Sequence, residues 1–176
     1  GAGVLLGVSV YADSSVRTAL IADDPATTTV NEYQAFIDSL TIKSFTDYEG
    51  TNKGDEKANY TETYKSNGDV ETRTTYYYHI TGNDYAGAAS ANADSYMTRT
   101  NTLRGDGTTK QIAYYSGSEA GEEIITWSQE YNYNGSAVKT LSVYDHDGAG
   151  VLLGVSVYAD SSVRTALIAD IPATEN

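Results

Sequence analysis

Hydrophobic and polar residues alternate along much of the chain, a pattern typical of β-strands that bury one face. Within residues 4–11, one face takes Val4, Leu6, Val8 and Val10, and the other takes Leu5, Gly7, Ser9 and Tyr11. Similar alternation occurs in residues 16–22 and 124–133. Other runs rich in Tyr, Thr, Val and Ile predict strands at 60–65, 70–80, 97–103, 110–115, 137–144, 151–158 and 163–169. The pattern therefore predicts an all-β protein.

Tight-turn signals separate these runs. They are Asn67-Gly68, Asp106-Gly107, Asn134-Gly135 and Asp147-Gly148, with a softer turn at 159–162. Asn-Gly and Asp-Gly pairs favour type I′ hairpin turns, in which both central residues take a positive φ. The turns fall at near multiples of 13 residues, which leaves about nine residues, or about 30 Å, for each strand. We therefore expect an antiparallel meander of hairpins.

Two segments depart from the strand pattern. Residues 30–40 place Val30, Tyr33, Ile37 and Leu40 near helical spacing, which favours one short helix packed on the sheet over an irregular strand. Residues 86–94 are small and polar and indicate a loop or insertion.

The chain also repeats itself. Residues 1–23 and 148–170 are identical, and the second copy starts 147 residues after the first. Repeat architectures show such a fixed period. We interpret 1–147 as one tandem unit and 148–176 as the start of the next, in a window cut from a longer array. A designed overlap, or one domain with two similar hairpins, is the alternative interpretation.

A tandem reading of the repeat predicts an assembly. Isolated hairpins are marginal in water, so successive units are expected to share strand edges and to extend the meander into a solenoid-, ribbon- or spiral-like array. The neighbour is either the next unit of the same chain or a separate chain joined by strand addition. The predicted assembly interface comprises the apolar residues of the two copies, Val4, Leu6, Val8, Val10, Val151, Leu153, Val155 and Val157.

The charge and the residue composition exclude some classes of binding partner. The formal net charge is −13, and residues 1–147 alone carry 21 acidic and 10 basic residues. This charge disfavours nucleic acid and anionic membranes as partners, and no apolar run approaches the ~18 residues of a membrane span. The chain has no cysteine, which excludes disulfides and thiolate metal sites. Its 16 tyrosines, against two phenylalanines and one tryptophan, suit sheet faces that are half solvated.

Candidate chemistry is sparse, and no catalytic residue is predicted. His79 follows three tyrosines and His146 lies between two aspartates, but nothing resembles a nucleophile motif. Asp145 and Asp147 stand one residue apart before a glycine, which makes calcium the one cofactor to consider. The stretch lacks the third acidic position and the final glutamate of an EF-hand, and a plain turn also explains it.

Some of the turn sequences resemble a known family. Tyr144-Asp145-His146-Asp147-Gly148 and, more loosely, 131–135 are similar to the tyrosine-aspartate (YD, or RHS) repeats of large secreted bacterial proteins. The resemblance implies an extended β-structure at the cell surface or outside the cell, and implies no catalytic residue. We therefore expect a structural repeat of a filament, sheath or stalk. The alternative is a carbohydrate-binding or adhesive module that stacks glycans on exposed tyrosines such as Tyr77 or Tyr131.

Overall fold

A computed structural model describes residues 3–12, 40–82 and 84–160. These residues form ten antiparallel strands in one open sheet, so the predicted all-β class is confirmed. The strands are β1 (Gly7–Ala12), β2 (Thr41–Glu49), β3 (Lys57–Tyr64), β4 (Val70–Thr81), β5 (Asp84–Gly87), β6 (Met97–Arg104), β7 (Thr109–Ser116), β8 (Ile124–Tyr131), β9 (Val138–His146) and β10 (Leu152–Ala159).

The sheet is a meander in which each strand lies beside its predecessor, with one exception. The short strand β5 stands off the main path and pairs with the end of β4. The remaining order is β1-β2-β3-β4-β6-β7-β8-β9-β10, with β1 and β10 outermost. Eight antiparallel pairings separate these two strands, so β1 and β10 run in the same direction.

Most predicted strands are present, within a few residues of their expected bounds. The pattern missed β2, in which Lys43, Asp47 and Glu49 interrupt the apolar alternation, and it missed the four-residue β5. Residues 86–94 include the end of β5 and one 3₁₀ turn at Ala88–Ser90. The expected helix near 30–40 falls outside the described residues except for Leu40, and so do the strands expected at 16–22 and 163–169.

The hairpin turns differ from the type I′ turns expected. In the β3–β4 hairpin, the Gly68 N–H donates to the Lys65 carbonyl at 3.0 Å and the Lys65 N–H donates to the Asp69 carbonyl at 2.9 Å. Only the glycine takes a positive φ, of 88°, and no described residue other than glycine does so. This is a three-residue loop with glycine in the left-handed position.

The β9–β10 turn uses the same loop, with its left-handed glycine two residues after the predicted Gly148. The Gly150 N–H donates to the Asp147 carbonyl, and φ is 80° at Gly150, whereas Gly148 has no positive φ. The Asp147 carboxylate accepts the N–H groups of Ala149 and Val151, both at 2.9 Å. This side chain thus caps the loop. The left-handed residue is the third of the turn, so the type I′ prediction for Asp147-Gly148 is wrong.

Packing is uneven across the sheet. Ile112, Tyr131 and Val138, on β7, β8 and β9, form the buried cluster, and Tyr114 packs against it and stacks on Trp127 at 3.8 Å between ring centroids. On strands β2, β3, β4 and β6, by contrast, threonine side chains meet across neighbouring strands. Consecutive cross-strand partners bring together Thr46, Thr61, Thr74 and Thr102, with Oγ1 atoms 2.9 Å apart in the first and last pairs. Among the residues that the structure describes, no helix has the length and apolar character needed to cross a membrane.

Candidate assembly interface

The described parts of the two identical segments, residues 3–12 and 148–160, contain the two outermost strands of the sheet. Residues 7–12 are β1 and residues 154–159, with the same sequence GVSVYA, make up most of β10. Within the described part of the chain, β1 pairs only with β2 and β10 pairs only with β9. Each copy therefore leaves one edge of backbone N–H and C=O groups without a strand partner among these residues.

The two edge strands also present the same residues to the same face. Direct cross-strand partners point to one side of a sheet, and an unbroken row of partners links Val8 in β1 to Ala159 in β10. Regular pairing places Val155 on the same side as Ala159. Val8 and its copy Val155 thus share a face, while their strands are bonded along opposite edges.

Both edges lack the usual protection against association. Sheet edges of monomeric proteins commonly carry lysine, proline or inward-pointing charges. Here β1 and β10 contain no charged residue, whereas each of the strands β2 to β9 contains at least one. Their valines are solvent-exposed, with 42% of Val8 and 47% of Val155 accessible. The charge pattern is the reverse of one that discourages strand addition.

The predicted assembly residues lie at these two edges and are not brought together within one chain. Val4 is half-buried just before β1, and the other seven are exposed or lie in the exposed strands. Whether they contact a second copy stays a prediction.

The sheet contains an internal repeat of four strands that sequence reasoning missed. The β1–β2 pairing matches Gly7 with Asp47 and Val8 with Thr46, and has a bulge after Val10. The β6–β7 pairing has the same register, with Arg99 opposite Tyr114, Thr100 opposite Ala113 and a bulge after Thr102. The bulges of β2–β3 and β7–β8 correspond in the same way, as do those of β3–β4 and β8–β9.

The strand β6 therefore corresponds to both edge strands. Its pairing with β4 places Thr100 opposite Tyr76, and the β9–β10 pairing places Val155 opposite Tyr144 with the same bulge at the strand start. The β4–β6 connection is longer than the β9–β10 hairpin, because it holds β5 and the 3₁₀ turn. The segment predicted as an insertion is thus additional relative to the equivalent hairpin.

A short sequence signal marks this internal repeat. Residues 50–56 and 117–123 both read glycine, three residues, glycine, acidic residue and glutamate, and they connect β2 to β3 and β7 to β8. The last residues, Glu56 and Glu123, are 67 positions apart. That spacing is a sequence signal that points to the repeat.

The two glutamates make equivalent contacts. Each accepts the N–H of its own loop glycine, Glu56 from Gly54 at 2.6 Å and Glu123 from Gly121 at 2.9 Å. The other carboxylate oxygen accepts a backbone N–H from two strands earlier in the chain, from Leu5 just before β1 at 2.9 Å and from Met97 at the start of β6 at 2.7 Å. The hydrogen bond from Leu5 is the first cause that lowers the pKa of Glu56 below its ordinary value.

The candidate calcium ligands are placed apart from any metal cluster. Asp145 is exposed on β9 opposite Gly154, and Asp147 caps the turn that follows. The described residues contain no group of three or more His, Asp or Glu side chains arranged to hold a metal ion. His79 donates its Nε2–H to the Gly82 carbonyl of its own hairpin at 2.9 Å and stacks on Tyr96.

The tyrosines proposed for glycan stacking are covered. Tyr131 is 5% exposed and belongs to the buried cluster, so the expectation that it is exposed is wrong. The Tyr77 ring is half-buried, and the Arg99 guanidinium lies 4.2 Å from its centroid. Cross-strand packing accounts for both rings.

No protein-family model matches the sequence, and neither does any curated protein.

Proposed function

We propose that the chain is a structural repeat of a long filament, sheath or stalk, built by edge-to-edge pairing of successive 147-residue units. The observation that carries the proposal is the position of the duplicated segment. One sequence forms both outer strands of the sheet, in one direction and facing one side, and each copy is bonded along the edge that the other leaves open.

The strand count suits a repeating chain. From β1 to β9 the main path contains eight strands, an even number, so β10 starts a second unit in the direction in which β1 starts the first. An odd number would reverse each successive unit and would pair the duplicated segment differently. At a strand spacing of about 4.8 Å, eight strands advance the sheet by about 38 Å per unit.

Pairing between the open sheet edges of neighbouring units would also stabilise such an array. In a quasi-one-dimensional repeat protein, stability is the sum of terms for each unit and for each interface between neighbours. The resemblance to YD/RHS repeats supports an extracellular or cell-surface location. The exposed strands β1 and β10 are then the ends at which neighbouring units continue the sheet.

The test compares the 176-residue chain with a two-unit chain, residues 1–147 followed by 1–176. We expect the two-unit chain to melt several degrees higher, because it completes one more junction, and electron microscopy of long arrays to show a filament with a fixed axial repeat. Equal melting temperatures together with separate globular particles would refute the proposal.

A further inference from the structure

We infer that the outer edge of β10 is a binding site for strand β2 of a second copy, in the register in which β7 pairs with β6. The inference rests on the proposed assembly and adds the partner strand, its register and the residues that fix it. In a tandem chain β10 is itself the first strand of the next unit. Between separate chains, β10 of one copy takes the place of β1 on another.

The strand β6 provides the template for this junction inside one chain. It is equivalent to β10, but it has strands on both sides, β4 on one edge and β7 on the other. With both neighbours present, Thr100 is 7% exposed, whereas its equivalent Val155 is 47% exposed. The completed position is thus a buried one, and in β10 an apolar, β-branched side chain occupies it.

The register follows from two independent pairings that agree. In the β6–β7 pairing Thr100 lies opposite Ala113, and the corresponding junction pair is Val155 with Thr46 of the second copy. The β1–β2 pairing gives the same result, since Val8, the copy of Val155, lies opposite Thr46. By the same rule, Val157 lies opposite Ser44 of the second copy.

Glycine at the start of β1 leaves room for the Phe45 ring. A Cβ added at Gly7 would lie 2.7 Å from Cε2 of Phe45 and 3.2 Å from the Thr46 carbonyl oxygen. At the copy of this residue, Gly154, no atom of the described residues lies within 4 Å of an added Cβ. The close approach of Phe45 to Gly7 in β1 is therefore absent around Gly154 in β10, and Phe45 of a second copy supplies it.

A glutamate closes the end of the junction. Glu56 binds the Leu5 N–H before β1, and Glu123 binds the Met97 N–H at the start of β6. The residue of β10 that is equivalent to Leu5 and Met97 is Leu152. Its cross-strand partner is His146, which corresponds to Tyr78, the partner of Met97. Glu56 of the second copy is the group that accepts the Leu152 N–H.

The matched glycines give the first experiment, in the full 176-residue chain. Gly7→Val weakens β1 on its own β2 and opens that edge to β10 of a second copy, so sedimentation velocity should show oligomers whose mass rises with concentration. Gly154→Val alone should stay monomeric with an unchanged melting temperature. The double variant should also be monomeric, because the incoming strand now meets Phe45. A monomeric Gly7→Val chain, or equal association of the double variant, would overturn the inference.

Disulfide formation tests the register, since the described chain and the whole sequence contain no cysteine. In the Gly7→Val background, Ser44→Cys with Val157→Cys should give a disulfide-linked ladder on mild oxidation. The matched control replaces Ser44→Cys with Lys43→Cys, at a residue that the bulge leaves without a direct partner, and should give little ladder. Equal ladders contradict the register.

The two proposals fail separately. If the two-unit chain melts higher but cross-linking favours Lys43, the array stands and the register is wrong. If the two-unit chain melts no higher than the 176-residue chain and no oligomers form, the proposed function itself fails.

Discussion

At the residue scale, turn conformation depends on which atoms a side chain can bond. Asn-Gly and Asp-Gly pairs located the hairpins, but in the β9–β10 turn the left-handed position lies at Gly150, and the Asp147 carboxylate accepts two later N–H groups. The preference of a residue pair for a turn type contains no information about such side-chain hydrogen bonds. The same loop recurs in the β6–β7 turn, where φ is 84° at Gly107 and the Asp106 carboxylate accepts the Thr108 N–H.

Two alanine substitutions in one turn test this correction. Gly150→Ala places a Cβ in the left-handed region and should cost about 1–2 kcal/mol of the free energy of unfolding. Gly148→Ala, with no positive φ and no atom of the described residues within 4 Å of the added Cβ, should be neutral within about 0.5 kcal/mol. Urea unfolding of both variants decides; a larger loss at Gly148 would restore the type I′ turn.

The Glu56 carboxylate should show its contact with Leu5 in a pH titration. Its pKa is lowered below 4.5, first by the Leu5 N–H, so the stabilisation is present above that ordinary value and is lost as pH falls through the folded value. Leu5→Pro removes the donor and should raise the Glu56 midpoint, followed by NMR of the side-chain carboxyl carbon. An unchanged midpoint would show that the Leu5 contact does not hold the carboxylate.

At the element scale, alternation and turn signals predicted most strands of the described sheet, because both depend on local sequence. They did not reveal β2, where Asp47 and Glu49 face solvent or polar neighbours, nor the burial of Tyr131. Burial depends on which strands meet across the sheet, and that is a property of the register. The four-strand repeat was missed for another reason: its two copies agree in bulges and loop glycines more than in side chains.

Two equivalent valines test whether the strands β1–β4 are packed less tightly than the strands β6–β9. Val138 in β9 is 1% exposed in the buried cluster, and Val70, its equivalent in β4, is half-buried. Val138→Ala should cost about 2 kcal/mol, from lost burial plus a residual cavity, and Val70→Ala less than half of that. Urea unfolding at fixed pH provides the measurement, and equal losses would mean that both halves share one core.

At the scale of the whole molecule, the proposed assembly of 147-residue units depends on charge, because like charges oppose the side-by-side association of acidic chains. Residues 1–147, the proposed unit, carry a net charge of −11, from 21 acidic and 10 basic residues. Repulsion between neighbouring assemblies reaches about 30 Å at 0.01 M salt and about 8 Å at 0.15 M. Strand pairing at the edges, by contrast, consists of short-range hydrogen bonds and apolar contacts.

Salt should therefore promote lateral association of the two-unit chain without changing its edge pairing. Light scattering should rise with ionic strength, and Mg²⁺ and Ca²⁺ should act alike at matched ionic strength if the ions only screen charge. Asp147→Asn should leave this response unchanged, because the carboxylate already accepts two turn N–H groups. A response to Ca²⁺ far above that to Mg²⁺, lost in Asp145→Asn, would instead establish the calcium site predicted at Asp145 and Asp147, since hard-cation selectivity requires a defined set of oxygen ligands rather than diffuse charge.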